Sequence, residues 1–140
     1  MPNDCITYQN SGYFTQLIVD YLEEKESLQP LYNRFPKIEN FQGQIDEKSK
    51  NFPFENRQIL VSALEKQHEN LEISDITSQN IQLLKLSNTY TITTGHQLNL
   101  FTGPLYFLYK IASTINLCKE LRQKYPTQNF VPIYWMATED

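Results

Sequence analysis

The stretch Tyr90-Thr-Ile-Thr-Thr-Gly-His-Gln-Leu-Asn-Leu-Phe-Thr-Gly-Pro-Leu-Tyr-Phe-Leu-Tyr-Lys110 decides the fold class of this chain. Its β-branched residues predict a strand over Tyr90–Thr94 that ends at Gly95, and Gly103-Pro104 predicts the start of a helix. A strand, a glycine turn and a helix start, in this order, are how α/β proteins build sites for anions and nucleotides. The stretch therefore predicts an α/β fold with a candidate ligand site in the loop.

The residues that follow complete a β-α-β unit. A helix is predicted from about Pro104 to Lys124, with Thr102 as its N-cap, and a second strand is predicted over Phe130–Met136. The expected buried stripe of this helix consists of Leu105, Leu108, Ile111, Ala112, Ile115 and Leu121. Because a strand–helix–strand segment of this length joins parallel strands by a right-handed crossover, we expect the two strands to be parallel.

The first half of the chain has the pattern of helices. Apolar residues at helical spacing predict one helix around Phe14–Leu22, a second after Pro53 and a third over Ser78–Leu86. The weakly periodic segment Arg34–Pro53 is interpreted as a long connection. We therefore predict a helical region over residues 1–88 that packs on the start of a core domain at residues 89–140. The apolar stripe expected for the second helix is Ile59, Leu60, Ala63 and Leu64.

Composition limits the class of partner and the location. The 140 residues carry a net charge of −4 and have a pI near 5.2, which argues against a nucleic-acid partner because such proteins favour a basic face. The start lacks the pattern of a signal peptide and no apolar run approaches membrane-spanning length, so we expect a cytoplasmic protein without a membrane partner. Cys5 and Cys118 lie far apart without metal-ligand spacing, which is typical of a reducing compartment.

The loop after the first predicted strand holds the candidate binding residues. Gly95 and Gly103 would let the backbone approach a phosphate or a carboxylate, and Lys110 could reach back and add its charge. No Asp or Glu lies between Asp75 and Glu120, which leaves room for a negative ligand. The alternative is structural, with glycines that end a strand and start a helix and a lysine that extends into solvent.

Polar side chains at the carboxyl edge of the predicted sheet could act on a ligand there. His96 could hydrogen-bond or protonate a phosphate oxygen, Gln97 could orient a substrate amide or hydroxyl, and Asn99 could bind ligand or cap the turn. Glu139 and Asp140 follow the second strand at the same edge. They could hold a substrate amine or a metal, or act as acid and base, although no metal site is assigned. A bystander histidine and a solvated terminus are the alternatives.

Two blocks of the sequence are distinctive. The first comprises Thr94-Gly95-His96-Gln97, Leu100, Thr102-Gly103-Pro104-Leu105-Tyr106 and Lys110, and the second is Val131-Pro-Ile-Tyr-Trp-Met-Ala-Thr-Glu-Asp140. Together they resemble the bacillithiol biosynthesis cysteine-adding enzymes. A weaker pattern with Tyr21-Leu22 and Leu64 in the opening helices extends the resemblance over essentially the whole chain. Many members of that family carry glutamine at the position of His96, and their second block continues beyond Glu-Asp.

The resemblance implies a fold, an activity and a set of site residues. The fold would be a Rossmann-like core related to nucleotidyltransferases and class I synthetases, truncated here after its first β-α-β unit. A coiled-coil portion would support a homodimer of the full-length protein. The reaction would join L-cysteine to glucosaminyl-malate, with ATP as the natural activator. Thr94, Gly95, Gln97, Asn99, Gly103, Pro104 and Lys110 would bind substrate or nucleotide, and His96, Glu139 and Asp140 would be catalytic.

Two other classes of function stay open. The chain could be a non-catalytic module that binds an anion or a nucleotide, or it could belong to another nucleotidyltransferase-like synthetase. Similarity at the level of the fold does not fix the substrate. If the chain is a segment of the ligase, we expect it to be inactive alone.

Overall fold

The computed structural model describes residues 5–138, apart from the side chain of Thr102, and consists of helices followed by a two-stranded sheet. Short 3-10 helices occupy Glu26–Leu31, Ile38–Asn40 and Leu100–Thr102. The α-helices are α1 (Tyr8–Ser11), α2 (Gln16–Leu22), α3 (Phe41–Asn51), α4 (Phe54–His68), α5 (Asp75–Leu83) and α6 (Leu105–Lys124), and the strands are β1 (Thr89–Gln97) and β2 (Asn129–Ala137).

The two strands pair in parallel, from Thr89 opposite Asn129 to Gln97 opposite Ala137. Helix α6 connects them and packs on both. The predicted α/β class, the parallel pair and the connecting helix are therefore confirmed, with strand and helix ends that differ from the prediction by at most three residues. At 20 residues α6 is long enough to span a bilayer, but within residues 5–138 no helix is apolar enough to do so.

The chain forms two compact units, Met1–Gln44 and Ile45–Asp140, which divide within α3. In the first unit, Val19 is buried and the rings of Tyr21, Tyr32 and Phe35 contact one another. In the second unit, α4 and α5 share a compact body with the strands. The predicted boundary after residue 88, between a helical region and a core domain, stays a prediction.

Different helices cover the two faces of the sheet. Successive strand residues alternate between faces, so Phe130 and Val131 point in opposite directions. The ring of Phe130 contacts Tyr125, which directly follows α6. On the other face, the buried core cluster consists of Val61 from α4, Ile81 from α5, Leu84 and Val131. Both faces are therefore covered near the start of the strands, whereas Thr91, Thr93 and Trp135 on the face of Val131 are exposed.

Two predictions about the helices before β1 are wrong. The segment Arg34–Pro53, interpreted as a connection with at most a short helical turn, contains a 3-10 helix and the 11-residue α3. The only buried residue of α3 is Ile45, so its apolar periodicity is too weak to read from the sequence. The third helix lies three residues earlier than predicted because the Ser74 side chain caps it, accepting a hydrogen bond from the Thr77 N–H at 3.2 Å.

The predicted buried stripes of α4 and α6 are largely wrong, although Leu64 of α4 is partly buried against the core cluster. In α4, Ile59 is 68% exposed and Leu60 is 36% exposed, while Arg57 and Val61 are buried. In α6 the buried residues are Thr114, Cys118 and Leu121, so only Leu121 belongs to the predicted stripe. Periodicity identifies an apolar face, but the neighbouring elements decide which face is covered. The exposed apolar residues of the predicted α6 stripe are Leu105, Leu108 and Ile115.

Candidate functional site

The loop before α6 begins later than the sequence predicts, because β1 continues through Gly95 and His96 to Gln97. The prediction that Gly95 ends the strand is therefore wrong. Gly95 lies opposite Trp135, and a Cβ at Gly95 would lie 2.6 Å from the Trp135 carbonyl oxygen. Glycine is required at this position because the two strands approach closely, and not because the chain turns.

Gly103 is the glycine that shapes the loop. Its φ of 61° and ψ of −153° lie in a region that is essentially restricted to glycine. A Cβ at Gly103 would also lie 2.6 Å from the Oδ1 of Asn99. The Asn99 side chain therefore packs directly against the Gly103 backbone, and this contact fixes the path of the chain into α6.

The start of α6 differs from the predicted cap. The N-cap is Pro104 and not Thr102, so Pro104 precedes the first turn and does not lie within it. A proline side chain cannot accept a hydrogen bond, and the first turn carries no acidic residue. The helix therefore directs the partial positive charge of its N-terminus toward the loop without a carboxylate of its own to offset it.

His96 is the centre of a hydrogen-bonded group at the end of β1. Its Nε2 lies 2.7 Å from the hydroxyl of Tyr106, and its Nδ1 lies 3.0 Å from the Nδ2 of Asn99. The same Asn99 Nδ2 donates to the carbonyl oxygen of Gln97 at 3.0 Å. The imidazole also contacts the rings of Tyr106 and Phe107, with centroids 5.3 and 6.4 Å away. Contacts on several sides thus hold this half-buried ring in place.

Lys110 reaches from α6 back to the end of β1. Its Nζ donates to the carbonyl oxygen of Gly95 at 3.2 Å and lies 5.4 Å from the centroid of the Tyr106 ring. This is the direction that its spacing from Tyr106 predicts. Within residues 5–138 Lys110 forms no ion pair. Among the described side chains, its ammonium group therefore has no carboxylate partner at the end of the strand.

Most of the predicted site residues lie in this loop or at its two ends. Gly95, His96 and Gln97 lie at the end of β1, Asn99 and Gly103 in the loop, Pro104 at its end and Lys110 on α6. Thr94 is half-buried in β1 opposite Tyr134. Glu139 and Asp140 lie outside the described residues, so their predicted place at this edge stays a prediction. The roles assigned to all these residues likewise stay predictions.

Tyr106 belongs to this hydrogen-bonded group, although it is not among the site residues predicted from the sequence. In the structure its hydroxyl bonds His96 and its ring lies under the Lys110 ammonium. One signal for it was available. Tyr106 lies four residues before Lys110, at the spacing that brings two side chains together on one helix face.

The described residues offer positive charge for an anionic group, but Gly95 and Gly103 do not form a glycine-rich phosphate loop. Gly95 belongs to the strand pair, and the space beside Gly103 is filled by Asn99. A phosphate loop instead needs a run of glycine-rich backbone N–H groups. Across the described part of the chain, no three His, Cys, Asp or Glu side chains are grouped to hold a metal ion. A role for ATP stays a proposal.

A family model described as "Bacillithiol biosynthesis BshC, N-terminal Rossmann-like domain" matches residues 1–140. The chain belongs to the BshC family. This membership confirms the resemblance seen in the two sequence blocks. It also agrees with the helices and the parallel strand pair, which form part of a Rossmann-like fold.

Relatives in the BshC family extend well beyond this chain. Proteins named "Putative cysteine ligase BshC" from Flavobacterium johnsoniae and Christiangramia forsetii are 68% and 59% identical over 140 residues, covering all of this chain and 26% of each relative. A protein of the same name from Bacillus mycoides is 32% identical over 124 residues, covering 89% of this chain and 22% of that relative. The chain thus spans about a quarter of the length of these relatives.

Proposed function

We propose that this chain is the N-terminal part of a ligase that adds L-cysteine to glucosaminyl-malate in the last step of bacillithiol biosynthesis. The names of its BshC relatives and the match to the family model support a ligase in this pathway. Glucosaminyl-malate as the acceptor follows from the resemblance of the two sequence blocks. The homodimer, the coiled coil and the cytoplasmic location stay predictions.

The observation that carries the proposal is the position of Lys110 beside the start of α6. Its ammonium lies at the carboxyl end of β1, where parallel sheets bind their ligands. An ammonium group has three donors, so the bond to the Gly95 carbonyl leaves two for a ligand. The malate group carries two carboxylates. We therefore assign Lys110 and the first turn of α6 to the binding of a substrate carboxylate.

The remaining predicted residues would act around that carboxylate. Glu139 and Asp140 are proposed to accept the proton that the attacking amine of glucosaminyl-malate loses as the amide forms. ATP as the activator would convert the cysteine carboxylate into an acyl phosphate or acyl adenylate, and phosphate or AMP would leave when the amine attacks. The charge that residues 5–138 offer at this edge is positive, which suits the anionic acceptor.

The test uses a chimera in which residues 1–140 replace the matching part of the Flavobacterium johnsoniae relative, with which they share 68% identity. Mass spectrometry measures the cysteine adduct of glucosaminyl-malate. Replacing Lys110→Ala is expected to raise KM for glucosaminyl-malate by about tenfold to a hundredfold, the usual effect of losing a hydrogen bond to a charged group. Lys119→Ala, an exposed lysine on the same helix, is the matched control and should leave KM unchanged.

Two outcomes would contradict the proposal. An unchanged KM in the Lys110→Ala chimera would remove the carboxylate site from this loop. An inactive unmodified chimera beside an active intact relative would show that residues 1–140 do not supply the N-terminal part of this ligase. In that case a non-catalytic binding module becomes the better account of the chain.

A further inference from the structure

The hydrogen bonds around His96 determine which of its nitrogens carries the proton. The Asn99 amide nitrogen has two N–H groups, one directed at the Gln97 carbonyl and the other at His96 Nδ1. The Gln97 oxygen fixes the orientation of the amide, because a flipped amide would place oxygen against oxygen. An amide nitrogen only donates, so a hydrogen bond from Asn99 requires Nδ1 to accept and favours the neutral imidazole with its proton on Nε2.

One contact favours the opposite tautomer, since Nδ1 also lies 3.1 Å from the Gln97 carbonyl oxygen. A proton on Nδ1 would meet that oxygen, but it would also face the N–H that Asn99 directs at the same nitrogen. The Gln97 oxygen is already bonded by Asn99 at 3.0 Å. The tautomer with the proton on Nε2 therefore allows more of the hydrogen bonds among His96, Asn99 and Gln97 to form.

With its proton on Nε2, His96 donates to the Tyr106 oxygen at 2.7 Å. The hydroxyl hydrogen of Tyr106 is then not used by His96, and among the described side chains the hydroxyl has no second partner. Tyr106 is 49% exposed, which leaves part of this side chain open to a ligand. A hydroxyl that accepts one hydrogen bond becomes a stronger donor in its next one.

We infer that Tyr106 is a substrate-binding residue that donates its hydroxyl hydrogen to an anionic oxygen, and that His96 and Asn99 position it. The inference rests on the proposed function and names a second donor for the same carboxylate. The Lys110 ammonium lies over the Tyr106 ring, so both donors belong to one corner of the loop. His96 thereby takes a positioning role, which differs from the acid–base role predicted from the sequence.

The tautomer of His96 can be measured directly, because the chain has two histidines. His68 is an internal control, since its Nδ1 lies 2.7 Å from the Leu64 carbonyl oxygen and must therefore donate. At alkaline pH, two-bond proton–nitrogen NMR spectra should show Nε2–H for His96 and Nδ1–H for His68. The variant His68→Gln assigns the signals. A proton on Nδ1 of His96 in the unsubstituted chain would overturn the inference.

A kinetic test uses the chimera described above. Replacing Tyr106→Phe, which keeps the ring under Lys110, is expected to raise KM for glucosaminyl-malate about tenfold with kcat nearly unchanged, as the loss of uniform binding requires. Tyr109→Phe, an exposed tyrosine on the same helix, should change neither constant. His96→Ala should resemble Tyr106→Phe, whereas His96→Gln should restore KM because a glutamine amide also donates.

The two proposals fail in different ways. An unchanged KM in Tyr106→Phe beside a raised KM in Lys110→Ala would overturn the role of Tyr106 and leave the carboxylate site standing. An unchanged KM in both variants would overturn the site itself. Loss of activity in His96→Gln as large as in His96→Ala would contradict a positioning role, because the donor would still be present.

Discussion

Arg57 is a buried charge in α4 whose partners are backbone carbonyls. Its guanidinium donates to the oxygens of Leu84, Ser87 and Thr89 at 3.3, 3.2 and 2.9 Å. It also lies 5.3 Å from the centroid of the Phe52 ring. Leu84 is the C-cap of α5, where carbonyl groups lack helical partners and carry partial negative charge. Arg57 therefore joins the end of α5 to the start of β1.

Removal of the Arg57 guanidinium should destabilise the fold strongly. The variant Arg57→Met keeps most of the side-chain volume but leaves buried carbonyls without a donor, so we expect a loss of about 3 kcal/mol in the free energy of unfolding. Urea denaturation followed by circular dichroism measures it. Lys66→Met, at an exposed position of the same helix, should change stability by no more than about 0.5 kcal/mol. Equal losses in the two variants would contradict this role.

The two cysteines should differ in reactivity. Burial raises the pKa of the Cys118 thiol, and the nearby Arg122 opposes this only in part. At about pH 8 the folded chain should therefore be alkylated by iodoacetamide at exposed Cys5 and resist alkylation at Cys118, because the thiolate is the nucleophile. Both should react in urea. Peptide mass spectrometry measures the labelling, and equal labelling of the folded chain would contradict the prediction.

The same pKa shift links Cys118 to the pH dependence of stability. A raised pKa in the folded state means that the folded chain holds its proton more tightly than the unfolded chain. The stability contributed by the neutral thiol is therefore fully present below the ordinary cysteine pKa of 9.0 and is lost as the pH rises through the folded value.

At the scale of single residues, the sequence points to positions with a special role in the backbone, but it does not show which residues they contact. The sequence singled out Gly95 and Gly103 as loop glycines, but the reason for glycine at Gly95 is the carbonyl of Trp135, forty positions away on β2. Such an approach is visible only once the register of the two strands is known. The hydroxyl bond between Tyr106 and His96 likewise depends on how α6 lies over β1. Residue types reveal chemistry, whereas partners require the tertiary arrangement.

Among the elements, α6 shows most clearly what periodicity can and cannot predict. Its extent was predicted to within one residue, because a proline start and twenty residues of helix-forming sequence define it locally. Its buried face was not predicted correctly, since Thr114 and Cys118 are buried and Leu108 is exposed. Helix α3 was missed because a mostly exposed helix has few apolar residues at regular spacing.

Two leucines of α6 should respond very differently to truncation. Leu121 is 0% exposed and Leu108 is 47% exposed. We expect Leu121→Ala to lower the free energy of unfolding by about 2–5 kcal/mol, because it removes buried methyl groups and leaves a cavity. Leu108→Ala is the matched control, with an expected change below about 1 kcal/mol. If thermal and urea unfolding gave the reverse order, the sheet would lie against the other face of α6.

At the scale of the whole molecule, many large apolar side chains are exposed, some of them near the candidate site. Leu105, Leu108 and Tyr109 on α6 are exposed, as are Trp135 and Met136 near the end of β2. Trp135 and Met136 are neighbours in a strand, so they point to opposite faces of the sheet. The sequence patterns placed these apolar residues in a helix and a strand, but they did not predict which of them would be exposed.

The 140-residue chain should be catalytically inactive alone, since it spans about a quarter of its BshC relatives. Incubation with L-cysteine, glucosaminyl-malate and ATP should yield no cysteine adduct by mass spectrometry, whereas the chimera serves as the positive control. Detection of the adduct with this chain as the only protein would show that its described loop and two strands are sufficient for catalysis.

The bonds of Arg57 also bear on the order in which the chain folds during translation. Thr89 pairs with Asn129, which the ribosome adds forty residues later, so β1 emerges before its partner strand exists. By then α4 and α5 are already complete, and Arg57 can bind the carbonyls of Leu84 and Ser87. The nascent chain is thereby anchored just ahead of β1, and the start of that strand is set before β2 arrives to pair with it.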